Sequence, residues 1–155
     1  MAGEYITEEY IKKLLVEVCN SLNCKVPKIY FLADEFFIRA LCKLPIVKEI
    51  MEYGVYKNFY AEYASFAAMG QGVIIFSLDR ANKFLKGFSE YQIQEYLKYV
   101  LGHEVGHIID WHDDPLKNEE LANSYAEKVA DVDAYEQVSR VIWEPIYDEL
   151  EKGGD

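Results

Sequence analysis

The sequence predicts an α+β fold, a small and mostly antiparallel sheet covered by amphipathic helices. Apolar residues recur at helical spacing in two long stretches, Ile11 to Leu22 and Ile93 to Ile108. A β-branched run, Val73-Ile74-Ile75-Phe76, follows the turn-forming Gly70-Gln71-Gly72. The 155 residues, 51% of them apolar, suffice for one core and are short for two domains. A single domain over 1–155 is therefore expected, with an N-terminal helical part (1–54), a sheet region (55–78) and a helical region (89–141).

Each element has a local reason. Thr7 can cap a first helix, with Glu8 and Glu9 in its first turn and Ile11, Leu14, Leu15, Val18 and Leu22 as its apolar stripe. Val26 to Leu32 reads as a short strand with Pro27 near its start. Asp34 to Leu44 reads as a helix stopped by Pro45, and a further turn or two of helix ends near Gly54. Between 55 and 78, two strands joined near Gly70-Gln71-Gly72 are expected. The aromatic series Tyr56, Phe59, Tyr60, Tyr63 and Phe66 forms sheet core or partly lines a cleft. A short helix spans about Asp79 to Lys86, closed by Gly87. Ser89-Glu90-Tyr91-Gln92 has the form of a capping box and opens a helix to about Trp111, which Asp113-Asp114-Pro115 breaks. One last long helix is expected from Leu116 or Glu119 to Val141. Pro145 interrupts it, Ile146 to Glu151 form a short turn, and the final Gly153-Gly154-Asp155 frays.

Composition excludes several function classes. Sixteen basic against 27 acidic residues give a net charge of -11, a surface that repels phosphate backbones, so no nucleic-acid partner is expected. No apolar run is long enough for a membrane span, and Met1-Ala2-Gly3-Glu4 lacks the start of a secretory signal, so a cytoplasmic protein without a membrane partner is expected. Cys19, Cys24 and Cys42 match no metal knuckle. They read as small core residues in a reducing compartment, or as a Cys19–Cys24 disulfide beside one free thiol.

The informative segment is His103-Glu104-Val105-Gly106-His107, an H-E-x-x-H inside a predicted helix. Positions i and i+4 share one helix face, so both imidazoles can reach one Zn²⁺. Glu104 lies about 100° around the helix, beside the metal, where it can deprotonate a zinc-bound water. Catalytic zinc takes a third protein ligand. Glu127, 20 residues after His107, has Asp131 one turn later on the same face, and Asn123 and Glu120 lie one and two turns earlier. A ligating carboxylate followed at i+4 by a second one that accepts a histidine Nδ1–H makes chemical sense. His112 reads as a solvent-facing residue at the helix end.

This pattern, His103-Glu104-x-x-His107 followed by Glu127-x-x-x-Asp131, resembles the gluzincin metallopeptidases, thermolysin among them. The resemblance covers roughly residues 70 to 135. It implies a zincin-like fold, one Zn²⁺ per chain held by His103, His107 and Glu127, Glu104 as general base, and Asp131 supporting a ligand histidine. Glu127-Lys128-Val129-Ala130-Asp131-Val132-Asp133-Ala134 is also similar to the E-x-x-A-D-x-x-A segment of membrane-associated gluzincins, whose spans this chain lacks. A competing alignment exists: Glu119-Glu120-Leu121-Ala122-Asn123-Ser124-Tyr125-Ala126 resembles the E-x-x-A-N-x-x-A segment of gluzincin-like regulatory proteases and makes Glu119 the ligand. A tight helical hairpin brings Glu119 or Glu120 near His107. Glu127 is preferred because Asp131 then has a role. A metzincin pattern departs here, with Asp110 in place of the turn glycine and Asp113 as the ligand.

The expected function is a zinc metallopeptidase of the endopeptidase type, hydrolysing peptides or proteins through a zinc-bound water activated by Glu104. The alternative is a latent zinc-binding regulatory module, its cleft covered by Val141 to Glu151. In the resembled family the substrate adds to a sheet as an extra strand, which here points to Gly72–Leu78. An acidic run at Asp110, Asp113, Asp114, Glu119 and Glu120 favours basic peptides.

Overall fold

The computed structural model describes residues 6–33, 35–37 and 66–153, with side chains described as far as residue 144. The expectations for Asp34 to Leu44, for the turns up to Gly54, for Tyr56, Phe59, Tyr60 and Tyr63, and for Cys42 fall wholly or largely outside those residues.

The architecture is mixed α+β. In chain order the elements are α1 (Glu8–Ser21), β1 (Ile29–Phe31), β2 (Ala67–Gly70), β3 (Val73–Phe76), α2 (Leu78–Phe84), α3 (Glu90–Ile109), α4 (Pro115–Val129) and α5 (Val132–Gly153). Thr7 Oγ1 accepts the Tyr10 N–H at the start of α1. The helix ends in a Schellman motif: Asn23 is left-handed (φ 53°), and the N–H groups of Asn23 and Cys24 bond back to Asn20 and Cys19. That turn sets Cys24 beside the buried Cys19, and both thiols are free. Burial pushes the Cys19 thiol up to about 12, so it is inert.

The sheet order is β1-β3-β2. Gln71 and Gly72 both have positive φ (53° and 78°), the pattern of a type I′ turn, and join β2 to β3 as an antiparallel hairpin in which Gly70 faces Val73. β1 lies parallel to β3, Ile29 facing Ile74 and Phe31 facing Phe76, so the sheet is mixed rather than mostly antiparallel. The reason is connectivity: β1 reaches β3 through a long crossover, not a turn. β3 is hydrogen-bonded on both flanks and offers no edge for an added strand.

Ile74 and Phe76 on β3 pack with Phe66, with Ile11, Leu14 and Leu15 of α1, and with Leu97 and Leu101 of α3. Each such side chain contributes roughly 1.5–3 kcal/mol on burial. The Ser89–Gln92 capping box opens α3, both reciprocal bonds being present. This helix is the hub, packed on α1, α4, α5 and the sheet.

The single long C-terminal helix resolves into two. α4 ends at Ala130, whose backbone is extended (φ -132°, ψ 157°). Asp131 Oδ1 then accepts the Ala134 N–H and starts α5. α5 runs through Pro145 instead of stopping there. The carbonyl that a proline at 145 leaves unpaired belongs to Val141, a 63% exposed residue, where water can satisfy it. Among the described residues no helix is long and apolar enough to cross a membrane.

Candidate metal centre

The centre lies between α3 and α4, which pack as an antiparallel pair joined by residues 110–114 alone. Asp114 caps α4 by accepting the Leu116 N–H, with Pro115 at the first helical position. The buried Asn118 accepts the His112 N–H and His112 Nδ1 accepts the Asp114 N–H, which tightens the connection. Small residues then let the helices touch. A Cβ on Gly102 would stand 3.0 Å from Ala126 Cα, and one on Gly106 would stand 3.1 Å from Ala122 Cα. Gly102-x-x-x-Gly106 against Ala122-x-x-x-Ala126 therefore sets both spacing and register.

That register selects which carboxylate meets the histidines. His103 Nε2 and His107 Nε2 stand 3.1 Å apart. Glu119 reaches both, with Oε2 3.0 Å from His103 Nε2 and Oε1 3.3 Å from His107 Nε2. His103 Nδ1 lies 2.7 Å from Asn123 Oδ1. Donation from Nδ1–H to that amide oxygen leaves the Nε2 lone pair of a neutral His103 free for a ligand. Glu104 Oε1 is 3.8 Å from His103 Nε2 and the side chain is buried.

The structure thus brings His103, Glu104 and His107 together, and adds Glu119 and Asn123. It places the favoured third ligand elsewhere. Glu127 is exposed, and its charge acts on Tyr99, one turn before His103. Asp131 accepts a hydrogen bond from Tyr91 (2.7 Å), gives its N–H to Glu95 and caps α5, with no histidine among its partners. Asp113 and Glu120 are exposed. The small-residue match between the two helices is the signal that ranks Glu119 above Glu127, and helix stripes alone do not reveal it. Trp143 donates to Tyr96, two turns N-terminal of His103 on α3, and packs on Phe84 of α2, so this part of α5 lies away from the histidines.

Electrostatics follow from this crowding. Burial pushes Glu104 up to about 7 against the opposing pull of His103 and His107. Glu119 is held well below the ordinary carboxylate range, chiefly by its bonds with His103 and His107. Burial pulls His103 down, but Glu119, Glu104 and Asn123 together outweigh it and leave the group above its ordinary value. His107 Nδ1 is buried without a hydrogen-bond partner among the described residues.

His103, Glu104 and His107 form a group whose ligand atoms all lie within 4.8 Å of one another and which could hold a metal ion. Comparison with protein-family models, curated proteins and solved structures finds no match for the chain.

Proposed function

We propose that the chain is a zinc-dependent peptidase of compact, gluzincin-like form, in which His103, His107 and Glu119 hold one zinc ion and Glu104 is the general base. One observation carries the reading: the two imidazole Nε2 atoms stand 3.1 Å apart, and Glu119 reaches both at once, Oε2 lying 3.0 Å from His103 and Oε1 3.3 Å from His107. Donors about 2.0–2.1 Å from a tetrahedral ion stand about 3.3 Å apart, so the donor set suits zinc. Two nitrogens and one carboxylate leave a fourth position for water or substrate, as catalytic sites do.

When bound, zinc supplies a Lewis acid and makes water acidic near neutral pH. The chain's own residues do the rest. Glu104, buried beside His103, accepts a proton from the attacking water and returns it to the leaving nitrogen. Asn123 holds the His103 tautomer. The peptide bond as substrate rests on the resemblance of H-E-x-x-H with E-x-x-A-N-x-x-A.

The test is a peptide-library digest by zinc-loaded protein beside Glu104→Gln. Metal content stays at about one zinc per chain, and hydrolysis falls by about 10²–10⁴-fold or more. Equal turnover in the variant removes Glu104 from the chemistry, and no turnover in zinc-loaded wild type removes the peptidase.

A further inference from the structure

A cavity of about 430 Å³, open to solvent, lies between the end of α2 and the described part of α5. Phe84, Phe88, Val141 and Ile142 give it apolar walls, and Lys83 and Lys86 stand among them. The Lys83 ammonium lies 5.6 Å from the centre of the Phe84 ring, so charge and apolar surface adjoin. Trp143 packs on the same phenyl ring, with the ring centres 5.9 Å apart. The described lining holds two cations and no carboxylate, in a chain with 27 acidic residues against 16 basic. The C-terminus of α2 gives lysines near residue 85 a reason of their own, but it does not require open volume beside them. The cavity is remote from the histidines. Phe88 stands just before α3, and His103 lies 13 residues past Glu90, about 20 Å along the helix.

We propose that this cavity binds a small anionic amphiphile, a monocarboxylate with an unbranched apolar tail, its head at Lys83 and Lys86 and its tail against Phe84, Phe88 and Ile142. The inference is independent of the peptidase reading. Ligand sites run from about 300 to 1,000 Å³, and this one falls near the small end, which suits a single acyl chain. Both lysines are exposed, so the head keeps its water while the tail leaves it. Their charges complement a carboxylate and draw it in locally against the acidic surface of the chain. Beyond the two lysines, the described lining has no polar side chain. A nucleotide base would leave its donors and acceptors unpaired there, and an acyl tail has none to pair.

Calorimetric titration of the full chain with decanoate, below its micellar concentration, tests the proposal. Binding saturates at about one decanoate per chain. Hexanoate, four methylenes shorter, binds at least about tenfold more weakly. Decyltrimethylammonium, with the same tail and the opposite charge, also binds at least about tenfold more weakly. Lys83→Gln/Lys86→Gln weakens decanoate by about three- to tenfold and leaves decanol unchanged. Val141→Asp sets a carboxylate on the cavity wall and weakens decanoate as well. All three positions are exposed, so the Tm of each variant stays at the parent value. In a Trp111→Phe protein Trp143 is the one tryptophan left, and its emission shifts as decanoate fills the cavity. A chelator leaves the affinity unchanged, which separates this site from the proposed metal centre. The proposal is overturned by a lack of saturable binding, by equal affinity for decanoate and decyltrimethylammonium, by binding that both sets of substitutions leave untouched, or by binding that the chelator abolishes.

Discussion

At the loop end of the α3–α4 pair, Glu119 and Asn123 stand four residues apart and meet His107 and His103. Further along, Glu127 and Asp131 stand the same four residues apart, but Glu127 is exposed and Asp131 meets Tyr91. The local pattern is the same and the outcome differs. Eight residues of helix, about 12 Å, separate Glu119 from Glu127, and a pair joined by residues 110–114 cannot slide that far. Near the loop the carboxylate faces imidazoles packed between helices. Away from it Asp131 fastens the start of α5 to α3, its carboxylate accepting from Tyr91 and its N–H donating to Glu95. Sequence spacing nominates candidates, and helix register chooses among them.

The sharpest way to break this comparison is to remove one carboxylate from each end. Glu119→Ala lowers zinc affinity by well over about 100-fold, more than loss of a supporting hydrogen bond does. Glu127→Ala leaves it unchanged. Mass-spectrometric metal content and a competition titration read both, and zinc lost only from the Glu127 variant would reverse the assignment.

Asn123→Ala comes next. It leaves the three ligands in place and frees the His103 tautomer, so zinc affinity falls by about 10–100-fold. Unchanged affinity would mean that His103 is oriented by packing alone.

A smaller effect separates the two ends by pH. In metal-free protein the His103–Glu119 pair is charged between two limits. His103 is raised above 6.5, so its contribution to stability is full below 6.5 and is lost as pH rises through the higher folded value. Glu119 is lowered below 4.5, so its contribution is present above 4.5 and is lost as pH falls through the lower folded value. Metal-free wild type therefore loses stability relative to Glu119→Ala as pH climbs past neutrality, as measured by urea unfolding. Zinc, which needs neutral His103, binds more tightly over the same climb. Parallel pH curves for the two proteins would show that the pair is not charged.

The smallest effect belongs to the far end. Asp131→Ala removes the α5 cap and the Tyr91 bond, lowering Tm by a few degrees while zinc affinity holds. A loss of zinc would tie the far end to the site after all.

Much of the chain was legible in its residues. Thr7, the Ser89–Gln92 box and the Gly70-Gln71-Gly72 turn act through bonds or φ angles within a few positions, so local chemistry suffices to place them. α2 instead ends at Phe84 with Leu85 as its cap, short of the stop expected at Gly87. The break at Ala130-Asp131 has a local signal too, since Asp131 can cap a helix that begins at Val132. The parallel pairing of β1 was not readable. It depends on which strand of the hairpin an incoming segment meets across a long connection.

The sequence by itself determined an α+β chain with one H-E-x-x-H, because helical period and the four-residue return of a helix face are local facts. Only tertiary structure decided that Glu119 and Asn123, rather than Glu127 and Asp131, face the histidines. That choice comes from the close approach of Gly102 and Gly106 to Ala126 and Ala122. Contact between backbones leaves room for one register, and the register belongs to the pair of helices rather than to either strand of sequence alone.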